Sequence, residues 1–169
     1  MREGSIWHGR KLIQAACQSH ASAGTLTSMP ETDTVPDTTG HCLCGRTRYR
    51  GRGQPKWVLY CHCESCRRAT GAPVTTFACF TEETFDFEGE APARYQSSPG
   101  VWRTFCPQCG TPLTYQAADL PGEVHLLVGS ADHPEAPHLT PQRHVFDNER
   151  IAWCDIGDHL PKKRAETSA

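Results

Sequence analysis

The chain has 169 residues, 37% hydrophobic and 21% charged, with a formal net charge of −2. These totals fit one domain with a modest core; the near-neutral charge gives no global field toward nucleic acid or anionic membrane, and no run approaches the roughly 20 apolar residues that span a bilayer. With 14 Gly and 13 Pro, turns and short strands are favoured over long helices.

Residues 1–38 stand apart, with few aromatics and many small polar side chains, and 29–39 read as a Pro/Thr/Asp linker. Such a stretch buries too little apolar surface to offset the entropy of ordering it. It is expected to be disordered or loosely held, with at most a marginal helix over 7–17. Basic residues are present (Arg2, Arg10, Lys11), but the segment 12–17 is short and interrupted by Gln14, so no secretory signal is read and a cytoplasmic protein is expected. Met29 is a second natural start, which mass spectrometry of the native N-terminus would test.

From residue 39 to 161 the texture is that of a folded domain. Pattern and turn residues predict strands over 46–50, 57–60, 74–80, 84–87, 93–97, 101–105, 113–115, 123–129, 143–146 and 151–154. A turn or two of helix is predicted over 64–70, stopped by Gly71 and Pro73. The run 123–129 is the most apolar and is expected at the centre of a sheet. Residues 162–169, basic and then polar, are expected to fray. The fold class is therefore mainly β: short antiparallel sheets and little helix.

Ten cysteines are the informative feature. Tight clustering, C-x-C spacing and the lack of a secretory signal argue against a disulfide scaffold and for metal. Three motifs stand out: Cys42-Leu43-Cys44-Gly45, Cys61-His62-Cys63-Glu64-Ser65-Cys66, and Cys106-Pro107-Gln108-Cys109-Gly110. In C-x-x-C the turn points both sulfurs at one ion, and the following Gly allows positive φ. A redox role explains one such motif but not three. The motifs supply seven thiols, and zinc takes four protein ligands when closed or three when one position stays open. The simplest division is a closed site of Cys42, Cys44, Cys106 and Cys109 and an open site of Cys61, Cys63 and Cys66; an exchange in which Cys63 and Cys66 complete the closed site has the same count. Of the remaining cysteines, Cys17 lies in the loose segment, and Cys79 and Cys154 read as core packing.

These residues resemble the glutathione-dependent formaldehyde-activating family, related to the domain of centromere protein V. The likeness rests on Gly40-x-Cys42-x-Cys44-Gly45, Tyr49, Cys61-His62-Cys63-x-x-Cys66-Arg67-Arg68, Gly71, and Phe105-Cys106-x-x-Cys109-Gly110-Thr111-Pro112-Leu113. It continues through Val128-Gly129-Ser130-x-Asp132, His144-x-Phe146, Trp153 and Leu160-Pro161. The resemblance implies a tent-like, mostly β fold and two zinc ions, one structural on Cys42, Cys44, Cys106 and Cys109 and one catalytic on Cys61, Cys63 and Cys66. It also implies a carbon–sulfur lyase that joins formaldehyde and glutathione into S-(hydroxymethyl)glutathione.

An open Cys₃ zinc site suits thiol chemistry, because it makes a thiolate available at neutral pH. His62, between two ligands, is read as pointing away from the metal, as a proton shuttle or as a bystander. Arg67 and Arg68 are read as holding a substrate carboxylate or as neutralising the anionic cluster, the latter favoured. Arg46, Arg48, Arg50 and Arg52 alternate and read as a solvated sheet face rather than a nucleic-acid stripe. His144 and Trp153 are read as structural, a bonded histidine and a core aromatic, and His125, His133, His138 and His159 are assigned nothing. The partners expected are a small thiol and an aldehyde, with no nucleic acid, no membrane and no reading of oligomeric state. The competing reading is a non-catalytic zinc module that binds a partner or senses thiol oxidation.

Overall fold

A computed structural model describes residues 35–164. The 7–17 helix, Met29, Cys17, most of the 1–38 segment and 165–169 lie outside the described residues. The described chain is mainly β, with a single α-helix. Its strands are β1 (Thr38–His41), β2 (Thr47–Gly51), β3 (Val58–Cys61), β4 (Thr75–Thr81), β5 (Phe85–Gly89), β6 (Ala93–Ser98), β7 (Val101–Phe105), β8 (Pro112–Ala117), β9 (Glu123–Leu127) and β10 (His144–Val145), and α1 is Glu64–Thr70. Among the described residues no helix is long and apolar enough to cross a membrane.

Two sheets form. The smaller is β1-β2-β5; the larger runs β10-β3-β4-β9-β8-β7-β6, antiparallel except for the β10–β3 pair. Strands β4 and β9 sit at its middle and are buried on both faces, which is why their sequences are apolar without alternation. The pleat then sorts neighbours to opposite sides. Val58, Ala78, Phe80, Val124 and Leu126 join Tyr49 and Phe85 of the small sheet in the main core, with Cys42 and Cys106 at its margin. Leu59, Phe77 and Leu127 face the other way and form a second core with Cys61 and Cys66, flanked by Trp57, Tyr115 and Val145. Each fully buried large apolar side chain contributes about 1.5–3 kcal/mol. The open cysteine cluster is thus built into the smaller core.

Several elements differ from expectation. Residues 38 and 39, read as the end of the linker, belong to β1, because the backbone of 38–41 pairs with β2 from Thr38↔Gly51 to His41↔Arg48 and Thr38 is buried against His138. The apolar run 123–129 leaves the sheet after Leu127 for a 3-10 turn over Val128–Ser130. The predicted closing strand 151–154 is a turn, closed by the Cys154 N–H donating to the Ile151 carbonyl, 2.9 Å. The outer edge of β10 is taken by the C-terminal segment instead: His144 N–H donates to Pro161 O (2.8 Å) and Lys163 N–H to His144 O (3.0 Å). So Pro161 to Lys163 are held against β10, not frayed, while Trp153 is 75% exposed rather than a core aromatic and Cys154 is only half-buried. The strand expected over 143–146 shortens to β10 because Phe146 takes a left-handed conformation, φ 56°.

The arginine stripe on β2 faces an acidic one on β5. Arg50 pairs with Asp37 and Glu88, Arg52 with Asp86, and Arg46 with Glu90. Half-exposed pairs of this kind add little stability, but they cancel the local field.

Candidate functional site

The structure brings the seven motif cysteines into two separate groups. Within each, the ligand atoms lie within 4.8 Å of one another. Cys42, Cys44, Cys106 and Cys109 make one; Cys61, Cys63 and Cys66 make the other, and no further Cys, His, Asp or Glu of the described residues joins it. The exchanged division does not occur.

The four-thiol group is held by two matching turns. Gly45 N–H donates to Cys42 O (2.8 Å) and Gly110 N–H to Cys106 O (2.9 Å), with φ of 75° and 73° at the two glycines. The second turn packs against the first through Thr111, whose hydroxyl accepts from Leu43 N–H at 3.0 Å. Sulfur separations of 3.4 Å (Cys42–Cys44) and 3.8 Å (Cys44–Cys106) are far longer than a disulfide. They match the edge of about 3.8 Å that a tetrahedron with Zn–S near 2.3 Å requires. Thr47 N–H donates to Cys42 Sγ (3.3 Å), and contact with Thr111 pulls the Cys109 thiol down to about 5. The donor set fits zinc.

The three-thiol group sits where β3 turns into α1. Cys61 ends β3, Cys63 caps the helix and Cys66 lies in its first turn, with Cys66 N–H donating to Cys63 Sγ at 3.3 Å. Cys61 and Cys66 are buried and Cys63 is half-buried. The three cannot all ionise unaided. Hydrogen bonds from Cys61 and Cys63, and then Arg103, bring Cys66 down to about 3, while the same contacts and burial hold Cys61 far above the usual thiol range. A divalent cation relieves that mutual repulsion.

Arg103 was not singled out by the sequence reading. It is 6% exposed; Nη2 donates to Ser65 Oγ (3.1 Å) and lies 3.8 Å from Cys66 Sγ, and the guanidinium stands over the Tyr115 ring at 5.1 Å. The only signal was its place in Val101-Trp102-Arg103, a charge on the same strand face as an apolar Val101. Arg67 and Arg68 are placed differently. Arg67 Nε donates to the His62 carbonyl (3.2 Å), Arg68 pairs with Glu64 (2.7 Å), and both line a surface hollow beside Trp153 rather than the cavity onto which the cysteines open.

His62 is fully buried and points away from the cysteine cavity. Its Nε2 is 2.7 Å from His144 Nδ1, and His144 Nε2 is 3.0 Å from Asp158 Oδ1. Asp158, His144 and His62 thus form one hydrogen-bonded chain. This chain pins the loop carrying Cys61 and Cys63 to the C-terminal segment. Burial, then the nearby His144, holds His62 below the usual imidazole range. Asp132, singled out in the motifs, accepts from the Thr39 hydroxyl (2.8 Å) and lies apart from the cysteines of the open group.

A third group, Cys79, Glu123 and His125, also gathers within 4.8 Å. Here Glu123 already carries Lys56 (3.2 Å) and His125 (2.9 Å), and burial and Glu123 push the Cys79 thiol up to about 12. The group is a satisfied polar cluster.

Three comparisons place the chain among known proteins. The family model described as glutathione-dependent formaldehyde-activating enzyme matches residues 37–149, which contain all seven motif cysteines. A protein of Schizosaccharomyces pombe described as an uncharacterized lyase is 33% identical over 81 residues, 48% of this chain, and the match spans 58% of that protein's length. A Rhodobacter sphaeroides protein of known crystal structure is 22% identical with a TM-score of 0.45, covering 56% of this chain and 87% of that one.

Proposed function

The chain belongs to the glutathione-dependent formaldehyde-activating enzyme family, and on that premise we propose that it is a carbon–sulfur lyase joining a thiol such as glutathione to a small aldehyde such as formaldehyde. The observation that carries this reading is the unequal grouping: four thiols close one site, and three thiols open onto a cavity. A purely structural module has no need of the second arrangement.

We assign one zinc to Cys42, Cys44, Cys106 and Cys109 as a structural ion and one to Cys61, Cys63 and Cys66 as the catalytic ion. Held by three protein thiolates, zinc supplies a Lewis acid with a free position that makes a substrate thiolate available at neutral pH. The protein's own groups do the rest. Arg103, buried against Cys66, offsets the negative charge that three thiolates leave on a divalent ion. The half-enclosed cavity keeps water from the thiol and the carbonyl and holds them together. His62 acts as a positioning residue: through His144 and Asp158 it fixes the turn between Cys61 and Cys63. Arg67 and Arg68 lie outside the cavity, in a separate surface hollow.

The adduct forms without a redox change. The thiol sulfur bonds to the carbonyl carbon, the C=O π bond breaks, and the thiol proton ends on the carbonyl oxygen. The test is NMR exchange spectroscopy of formaldehyde, glutathione and their adduct with wild type, Cys66→Ser and no protein, at equal zinc. Acceleration by wild type that is lost in Cys66→Ser is the expected result. Rates equal to the protein-free control would remove formaldehyde and glutathione as the substrate pair and leave a zinc module whose thiol, aldehyde or protein partner is another.

A further inference from the structure

The cavity beside Cys61, Cys63 and Cys66 has a volume of about 380 Å³, within the range of about 300–1,000 Å³ that holds drug-sized ligands. Formaldehyde, with one carbon, leaves it nearly empty. Its walls are Trp57, Leu59, Phe77, Val101, Tyr115 and Phe146. Three of these come from the second core, where β3, β4 and β8 present Leu59, Phe77 and Tyr115 on one face. Phe146 is the one non-glycine among the described residues with positive φ, and it keeps a ring 38% exposed at the cavity's edge. A bulky residue rarely adopts that backbone conformation.

The two basic side chains of the lining, Arg103 and His125, are already committed. Arg103 is bound to Ser97, Ser65 and Cys66 and stacked on Tyr115. His125 is bound to Glu123, and burial holds its imidazole below the ordinary range. Asp119, also in the lining, is an exposed acidic side chain and no cation. The walls therefore offer no free cation for the two carboxylates of glutathione, and they suit a hydrocarbon.

We infer that the substrate sharing this cavity with the three thiols carries an aromatic or branched apolar group, and, because the walls offer the carboxylates of glutathione no free cation, that this group belongs to the aldehyde, which is then larger than formaldehyde. The inference rests on the lyase reading for the reaction, but its ligand class is testable apart from catalysis. The adduct balances as before: sulfur bonds to the carbonyl carbon and the thiol proton passes to the oxygen.

The experiment uses the zinc-loaded full chain and two readouts. First, exchange rates with glutathione are compared for phenylacetaldehyde, acetaldehyde and formaldehyde, each as acceleration over the protein-free rate. Second, inert 2-phenylethanol is titrated while the Trp57 indole and Tyr115 ring signals are followed by NMR, with ethanol as the control. Apolar contact of this size discriminates by roughly tenfold or more. The expected result is at least tenfold greater acceleration for phenylacetaldehyde than for acetaldehyde, and saturable shifts at Trp57 and Tyr115 with 2-phenylethanol only. Equal acceleration of all three aldehydes with no shifts overturns the inference and leaves the lyase reading standing. Shifts without acceleration of any aldehyde keep the ligand class and overturn the lyase reading. Neither shifts nor acceleration overturns both. Val101→Trp, which fills the cavity, should weaken 2-phenylethanol binding at least tenfold while a thermal scan shows it folded; if it does not fold, the wild-type titration decides alone.

Discussion

Replacing Arg103 with Met keeps much of the side chain's length and removes its charge. The guanidinium is 6% exposed and lies 3.8 Å from Cys66 Sγ, and at an effective dielectric near 20 one such pair interacts by about 4 kcal/mol. Part of that is offset by the cost of keeping both charges out of water. Outer partners of metal ligands are typically worth about 10–100-fold in metal affinity, or about 1.4–2.8 kcal/mol. Arg103→Met should therefore weaken zinc at Cys61, Cys63 and Cys66 by about 10–100-fold, and leave the four-cysteine site as in wild type. Titrating zinc-loaded protein with a colorimetric chelator resolves the two ions if their affinities differ. Wild type should release both late; the variant should release one early and one late. Arg103→Lys, which keeps charge but loses the planar fork, should fall between. Release curves that superimpose on wild type would refute the claim that this guanidinium balances the open cluster.

His144→Ala leaves His62 Nε2 buried without its partner, so stability should fall by about 1–3 kcal/mol and amide exchange at His62 and Cys63 should quicken; unchanged exchange there would show that the chain to Asp158 does not hold the loop. Gly40→Ala puts a methyl 2.2 Å from Tyr49 Oη and 2.5 Å from the Ser130 carbonyl, and a lower urea midpoint by about 1–3 kcal/mol is expected. Gly110→Ala meets no atom within 4 Å, so its cost is the left-handed backbone alone, about 1–2 kcal/mol, read on the same urea curves. His125 and Glu123 are both held below their ordinary values of 6.5 and 4.5, His125 by burial and Glu123 by His125 and Lys56. Each binds protons less readily folded than unfolded, so its stabilisation is complete above the unfolded value and is lost as pH falls, from about 6.5 for His125 and from about 4.5 for Glu123. The acid limb of thermal stability should flatten in Glu123→Gln below pH 4.5 and in His125→Gln below 6.5; limbs parallel to wild type would contradict this.

The sequence by itself determined the cysteine chemistry, because C-x-C, C-x-x-C and the glycines after them are local: each turn aims its sulfurs and needs its positive φ whatever surrounds it. It also determined the central strand β9 and the helix stopped at Gly71, since unbroken apolarity and a left-handed cap are written in a few neighbouring residues. Only the tertiary structure decided which thiols gather together, because Cys44 and Cys106 are 62 positions apart and meet through the packing of two sheets. The same holds for Arg103, a lone charge in a strand until β7 and α1 bring it to Cys66, and for His62, whose partner lies 82 positions away. Residues 151–154 have the composition of a strand but form a turn, while the outer edge of β10 is held by Pro161 to Lys163, whose own sequence gives no strand pattern. Local pattern fixes what a segment can form; long-range competition for partners fixes what it does form, and the cavity beside the three thiols exists only where those partners meet.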